Sequence, residues 1–525
     1  MATSATELVQ LLKASEDFSA LSDEVLQAIV AQLKITFVAG GEKVITEGDN
    51  SDYMFILVSG RLRVSREDKE GKLLLYNEVL PGDCVGETGM ILEQARTADI
   101  HSLRDSKIAV LDKSAFALLL AEFPVELNKT FSNAIYRHLR HHSRINQRKR
   151  AQSFFLVPID LSIDIDQVCN ELHQALSKMG KSLILTADEM DKYHNNIGAH
   201  SVDLDKAESE NDYIIYQGRA ETPELCKQIF HHSDQIVFVA PGNELIELTD
   251  IEHSLQLESG YELIRKHLLL TFPDGTTECS SRIEWQKGRN VERVYPARYS
   301  DSADYERLSR FLTGNAVGVV LGGGGARGFA HIGVLRAFEE QGIPIDVIGG
   351  NSMGAVIGAC YVSGIPLDEI HNRILELNKN GMKLTFPLVS LMSNKNLEKA
   401  LKVGLGSANI ENLWLPYFAA ACNLSKAETT VLEKGPLWRA VLASNSPAGL
   451  FPPVIDDGEL LVDGAVLENV PVQAMRLRLS TALERRRGHG KVIAIDVDIK
   501  EELLVAKELE KLNNWTKIKS HMDPK

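Results

Sequence analysis

The stretch that most constrains this chain is Gly350-Asn351-Ser352-Met353-Gly354, set between the apolar run Ile343 to Ile348 and the small-residue helix Ala355 to Val362. A serine between a strand end and a helix start, with glycine two places before and after, is the pattern of a nucleophile elbow. The serine there takes a strained backbone angle, and side chains at the flanking glycine positions would collide. Its hydroxyl stands at a helix N-terminus, where backbone N–H groups meet developing negative charge. Alone the pattern is weak, because loosely specified positions recur by chance. Just ahead, however, lies Gly322-Gly323-Gly324-Gly325-Ala326-Arg327-Gly328, between the strand-like Ala316 to Leu321 and an amphipathic helix carrying Ile332, Leu335, Ala337 and Phe338. Unencumbered N–H groups in that run can point into one space, as a tetrahedral oxyanion requires, and Arg327 adds a fixed positive charge nearby.

A rival reading uses the same glycines. Gly323, Gly325 and Gly328 also spell G-x-G-x-x-G, the dinucleotide fingerprint, which needs an acidic residue at the far end of the next strand. The candidate, Asp346, comes near the start of its strand, and the far end carries the serine elbow instead. The third element is Leu460-Leu461-Val462-Asp463-Gly464-Ala465, where an aspartate ends an apolar strand. Taken alone it reads as a turn residue. No histidine has comparable surroundings: His331 sits at a helix start and His371 in a charged helix, and both read as structural or solvated. Serine and aspartate without histidine make a dyad, with Asp463 as the base that takes the proton of Ser352.

A glycine-rich run with arginine, then G-N-S-M-G, then D-G-A resembles the motif set of patatin-like phospholipases. Leu413-Trp414-Leu415-Pro416-Tyr417-Phe418, Leu437-Trp438-Arg439, Gly449-Leu450-Phe451-Pro452-Pro453 and Asn469-Val470-Pro471 resemble the neuropathy target esterase branch, a group of lysophospholipases. The resemblance implies that Ser352 is the nucleophile and Asp463 its partner. It also implies an oxyanion hole around Gly323, Gly324 and Gly325, with Arg327 beside it. The third motif reads D-G-A where much of that branch has D-G-G, which leaves the carboxylate in place. The ordered motifs run from residue 312 to 498.

A chain of 525 residues suggests about three domains of ordinary size. Its 44% apolar and 25% charged composition is that of a soluble protein. A net charge of −15 argues against a nucleic-acid partner and gives no help towards an anionic membrane. Six cysteines (Cys84, Cys169, Cys226, Cys279, Cys360, Cys422) lack C-x-x-C spacing and read as reduced core residues, with no metal site. Nothing reaches about 18 uncharged apolar residues, and the N-terminus lacks a basic start before an apolar run. The expectation is a cytoplasmic protein, with any contact to the inner membrane face peripheral.

Residues 6 to 33 read as short amphipathic helices, marked by Leu8, Leu12, Leu21, Val25, Leu26 and Ile29. From about Lys34 short strands follow, broken by glycine turns at Gly40-Gly41, Gly48-Asp49, Gly60, Gly71 and Gly82-Asp83, which indicates a small β-barrel or jelly roll. Within it, Gly86-Glu87-Thr88 through Arg96-Thr97-Ala98 resembles the phosphate-binding cassette of cyclic-nucleotide-binding domains. Glu87 suits a ribose 2′-hydroxyl and Arg96 the cyclic phosphate of cAMP or cGMP, with Gly86 and Thr97 beside them. A degenerate domain kept for structure is the alternative, and the presence of both charged groups favours binding.

The basic run from Arg137 to Arg150 reads as a solvated helix, or else as a coupling segment or a membrane-surface contact. Residues 155 to 300 alternate strand and helix, an α/β domain with a mainly parallel sheet and no catalytic constellation. Asp301 to Arg310 read as a link to the hydrolase. Met382 to Met392 read as an apolar loop over an acyl pocket or an ordinary core loop, and Val492 to Val497 as a late buried strand. The expected fold is multidomain: a jelly-roll cyclic-nucleotide-binding domain (1–140), a basic helical linker (141–154), a middle α/β domain (155–311), an α/β patatin-like hydrolase (312–500) and a C-terminal helix and tail (501–525).

The expected function is that of a serine esterase acting on lysophospholipid or phospholipid acyl esters at a membrane surface. It needs no catalytic cofactor, and cAMP or cGMP would be a regulatory ligand. A nucleotide-responsive transcription regulator would require a basic helix-turn-helix directly after residue 140, where the sequence gives way to a strand. A catalytically silent scaffold would keep the fold, and the presence of Ser352 and Asp463 speaks against it.

Overall fold

The computed structural model describes residues 4–15, 17–67, 73–140, 151–194, 204–279, 282–379, 390–480 and 489–498. Two capped helices open the chain, Ala5–Lys13 after Ser4 and Asp23–Gln32 after Ser22, each N-cap hydroxyl accepting a first-turn N–H. Their apolar faces (Leu8, Leu12, Val25, Leu26, Ile29) pack with Phe18, Phe116 and Phe131 under a six-stranded antiparallel sheet. The long strand Tyr53–Glu67 is the centre of that sheet, paired with Asp99–Asp112 and Leu73–Val79. Gly60, expected at a turn, lies inside this strand at φ 93° and shifts the register between Ser59 and Arg61. A bulge glycine and a turn glycine have the same local signature. Gly71 lies outside the described residues.

The second sheet is parallel throughout, its strands in the order Arg293–Arg298, Arg265–Phe272, Gln235–Pro241, Gln152–Pro158, Tyr213–Gln217, Ser182–Leu185. Helices cover both faces, which explains why its inner strands read as unbroken apolar runs. The third sheet joins parallel strands Val317–Leu321, Val347–Asn351, Tyr417–Asn423 and Lys491–Ile495 to antiparallel Glu459–Asp463 and Val454–Asp456. Lys491–Ile495 is the late strand expected, but it is an edge strand and half-buried rather than buried.

The segment expected to be a mere link is the helix Ser302–Leu312. Its Tyr305, Leu308, Phe311 and Leu312 lie in one core with Phe154 and Leu156 of the second sheet and Val320, Val347 and Phe418 of the third. The two α/β units are therefore welded by apolar packing. Arg310 forks onto the buried Asp346 (Nη2–Oδ1 2.7 Å), which also accepts the Val317 N–H at 2.8 Å. Asp346, the candidate of the dinucleotide reading, is thus a structural anchor. Residues 141–150 of the basic run, 382–389 of the apolar loop and the C-terminal helix from 501 lie outside the described residues. No described helix is long and apolar enough to cross a membrane.

Candidate active site and nucleotide site

Ser352 stands between the strand Val347–Asn351 and the helix Met353–Val362 at φ 52°, ψ −123°, a backbone region that non-glycine residues avoid. The flanking glycines permit it. A Cβ on Gly350 would lie 2.6 Å from the Leu321 carbonyl oxygen, and one on Gly354 only 2.1 Å from the same atom. A Cβ on Gly328 would meet Met353 Cγ at 2.4 Å, so the glycine run is pressed against the elbow.

Asp463 ends its strand opposite Ala421 and is buried. Its N–H donates to Ser446 O (2.9 Å), and its Oδ1 accepts the Ala465 N–H at 3.0 Å. Burial holds this carboxyl above the usual range, while the Ser352 hydroxyl and the Ala465 N–H draw it part of the way back down. The Ser352 Oγ donates to Asn445 Oδ1 at 3.3 Å. The Ser352 N–H donates to Ser444 Oγ (3.0 Å), which donates in turn to Ala420 O (2.6 Å). Asn351 Oδ1 accepts the Gly464 N–H at 3.0 Å, tying the elbow to the aspartate's own turn.

The glycine run departs from the expected donor set. The Gly323 N–H is engaged with Asn469 O at 3.3 Å, while Asn469 Nδ2 donates back to Gly323 O at 3.1 Å. Among the described residues no carbonyl takes the N–H of Gly324 or Gly325, so these two remain available to an anion. Arg327 points outward: its Nη2 donates to Asp498 Oδ1 at 2.7 Å and its Nε to Gly324 O at 3.4 Å. It braces the loop rather than facing the serine. His331 is buried and its Nε2 donates to Gly322 O at 2.8 Å; burial also pushes its pKa down. That imidazole supports the loop. His371 packs edgewise on Phe329 at 4.6 Å.

Ser444, Asn445 and Asn469 were not singled out from sequence. The available signals were a polar run, Ser444-Asn445-Ser446, closing the apolar helix Leu437–Ser444, and an asparagine held within Asn469-Val470-Pro471.

In the N-terminal sheet, Gly86 adopts φ 83° as the N-cap of the helix Glu87–Leu92, and Glu87 is buried there with Thr88 Oγ1 donating to its Oε1 at 2.8 Å. Arg96 is buried, lies 5.0 Å over the Tyr53 ring and donates to the carbonyls of Gly86 (2.8 Å) and Tyr53 (2.5 Å). Burial lowers its pKa despite the surrounding acidic groups, as expected of a desolvated cation held by carbonyl dipoles. Thr97 is exposed beside it. All six cysteines are free and buried, and no metal-holding cluster occurs among the described residues.

Residues 319–476 match the patatin-like phospholipase family and residues 35–123 the cyclic nucleotide-binding domain, so the chain carries a patatin-like phospholipase domain with a cyclic nucleotide-binding domain ahead of it. It is similar to patatin-like phospholipase domain-containing protein 7 of Rattus norvegicus, with 29% identity over 91% of this chain and 39% of that protein. It is also similar to neuropathy target esterase sws of Drosophila melanogaster (28% identity, 91% of this chain, 37% of that one). Patatin-like phospholipase domain-containing protein 6 of Homo sapiens shares 27% identity over 93% of this chain and 39% of its own length. The chain therefore spans well under half the length of these curated relatives.

Proposed function

We propose that this chain is a serine esterase that hydrolyses acyl esters of lysophospholipids or phospholipids presented at a lipid surface, with Ser352 as nucleophile and Asp463 as base. The observation that carries the reading is the strained Ser352 beside the buried Asp463 carboxyl, below a glycine loop in which, among the described residues, no carbonyl takes the N–H of Gly324 or Gly325. The hydroxyl proton passes to Asp463 as Oγ attacks the acyl carbonyl, and the oxyanion meets the N–H groups of Gly324 and Gly325 and the N-terminus of the helix Met353–Val362. Asp463 then returns the proton to the departing alkoxide, and water releases the acid from Ser352 by the same path. Arg96 and Glu87 take a cyclic nucleotide, which regulates hydrolysis from the N-terminal domain. Ser352→Ala should abolish turnover on a panel of lysophospholipids, diacyl phospholipids and short esters without changing the melting temperature. A serine-directed phosphonate should label Ser352 alone. Substantial turnover by the alanine variant would sink the assignment.

A further inference from the structure

Three consecutive residues at the end of the helix Leu437–Ser444 touch three different parts of the reaction centre. Ser444 Oγ accepts the Ser352 N–H, Asn445 contacts Ser352 Oγ, and the Ser446 carbonyl accepts the Asp463 N–H. Two of these fix backbone. Asn445 reaches the reacting atom itself, and it is half-buried rather than sealed off.

A serine hydroxyl has one hydrogen to give and two lone pairs with which to accept. In the resting arrangement Asn445 presents Oδ1 to Oγ at 3.3 Å and accepts its hydrogen. When Asp463 takes that hydrogen, as the base of the dyad must, an oxygen facing Oγ becomes repulsive. A half-turn of the carboxamide replaces Oδ1 by Nδ2 with almost no change of shape, and the contact is then donated to the serine oxygen.

We propose that Asn445 is a further catalytic residue, a side-chain donor that stabilises the negative charge building on Ser352 Oγ as its proton leaves for Asp463. The balance is simple. The proton moves from Oγ to the carboxylate, the Oγ–carbon bond forms, the carbonyl electron pair becomes the oxyanion, and Asn445 keeps both its hydrogens throughout. This role rests on the dyad reading.

Aspartate at the same position is the discriminating change, since it keeps the shape and can only accept. N445A should lower kcat roughly 10- to 100-fold, the worth of one hydrogen bond to a charged group, with KM changed less than about 2-fold. N445D should be slower still, and phosphonate labelling of Ser352 should slow in the same order. Turnover by N445D at the wild-type rate would overturn the proposal, because a packing or acceptor role survives that change. So would N445A at the wild-type rate. Should N445A fail to fold, N445D decides alone: a loss of about 10-fold or more at unchanged melting temperature supports the donor role. If Ser352→Ala itself retains turnover, the dyad reading has failed, and that outcome is separate from any result at Asn445.

Discussion

Alanine at Gly354 and alanine at Gly333 are the same chemical change in two helices beside the glycine loop, and their surroundings give them opposite signs. A methyl on Gly354 would lie 2.1 Å from the Leu321 carbonyl oxygen, 2.6 Å from its carbon and 2.7 Å from Gly322 O. All three atoms are backbone, so no side chain can swing aside. The strand end and the helix would have to part by about 1 Å, an overpacking that costs about 3 kcal/mol or more at a rigid neighbour. The displaced backbone is the start of the glycine run, and a 1 Å error in donor placement is worth about 10²-fold in rate. Gly333 lies on the exposed face of the helix Ala330–Glu340, and a methyl there meets nothing within 4 Å. Alanine at that site should stabilise by about 0.4–1 kcal/mol through the unfolded chain. Urea unfolding of the full chain, read as a shift in midpoint, and ester turnover together measure both arms. The reasoning is refuted if Gly354→Ala folds and turns over like the wild type, or if Gly333→Ala is the more damaging of the two.

Two further perturbations test the sites separately. The Asp463 carboxyl is held high by burial, so turnover should rise with pH through a value above that of an ordinary aspartate, because the base is the ionised form. Stability runs the opposite way: with the folded pKa above the unfolded one, this group's contribution is full below the unfolded value and is lost as pH climbs through the folded value. Asp463→Asn should therefore lose about 10²- to 10⁴-fold in rate yet melt no lower than wild type at neutral pH, and a large fall in melting temperature would contradict this account of its burial. Arg96→Ala should weaken cyclic-nucleotide binding by about 1.5–3 kcal/mol in calorimetry, the loss of a charge-assisted phosphate contact. Absence of heat from the wild type with both cAMP and cGMP would make the N-terminal sheet a structural element only.

The parts of this site that a reader of the sequence can reach are those built from neighbours in the chain. Ser352 and its two glycines form one strand-to-helix corner, and the corner needs those residue types wherever it occurs. Glu87 and Arg96 likewise sit in one short segment. The groups that escape notice are joined across the fold. Asn445 is 93 residues from Ser352, Asn351 is 113 from Gly464, and Asn469 is 146 from Gly323. No periodicity links such partners, because hydrogen bonds between loops obey no spacing rule. Gly323 shows the same limit: in the sequence its N–H looks free, and only the fold brings the Asn469 carbonyl opposite it. The helix Ser302–Leu312 hid its role behind its charges, although Tyr305, Leu308 and Leu312 carry the helical spacing of a buried face.

For a nucleotide at Arg96 to alter events at Ser352, some joint between them must have two arrangements that the ligand distinguishes. Two joints lie on the way, and their chemistry differs. The middle and catalytic sheets share an apolar core through Tyr305, Leu308 and Phe311, and exposing such a surface to water is costly. The joint between the N-terminal sheet and the middle sheet is ionic. Arg104 forks onto Glu208 at 2.6 and 2.9 Å and approaches Asp234 at 3.4 Å, while Arg61 reaches Asp234 at 3.2 Å. Charges buried against one another gain little net stability over the same charges in water, so this joint can open at small cost where the apolar one cannot. It is also the one joined through the backbone to Arg96. The Arg96 backbone is bonded to Gly48 and Asp49, both contacts at 2.9 Å, just beyond the strand Lys43–Ile45. That strand leads back to Gly40 and Gly41, which press on His231 and Ser259 of the middle domain. A phosphate that draws Arg96 off the Gly86 and Tyr53 carbonyls therefore pulls on a segment whose other end is seated in the ionic joint. Nucleotide control of Ser352 would therefore act through the seat of the N-terminal domain on the middle domain, not through the apolar joint.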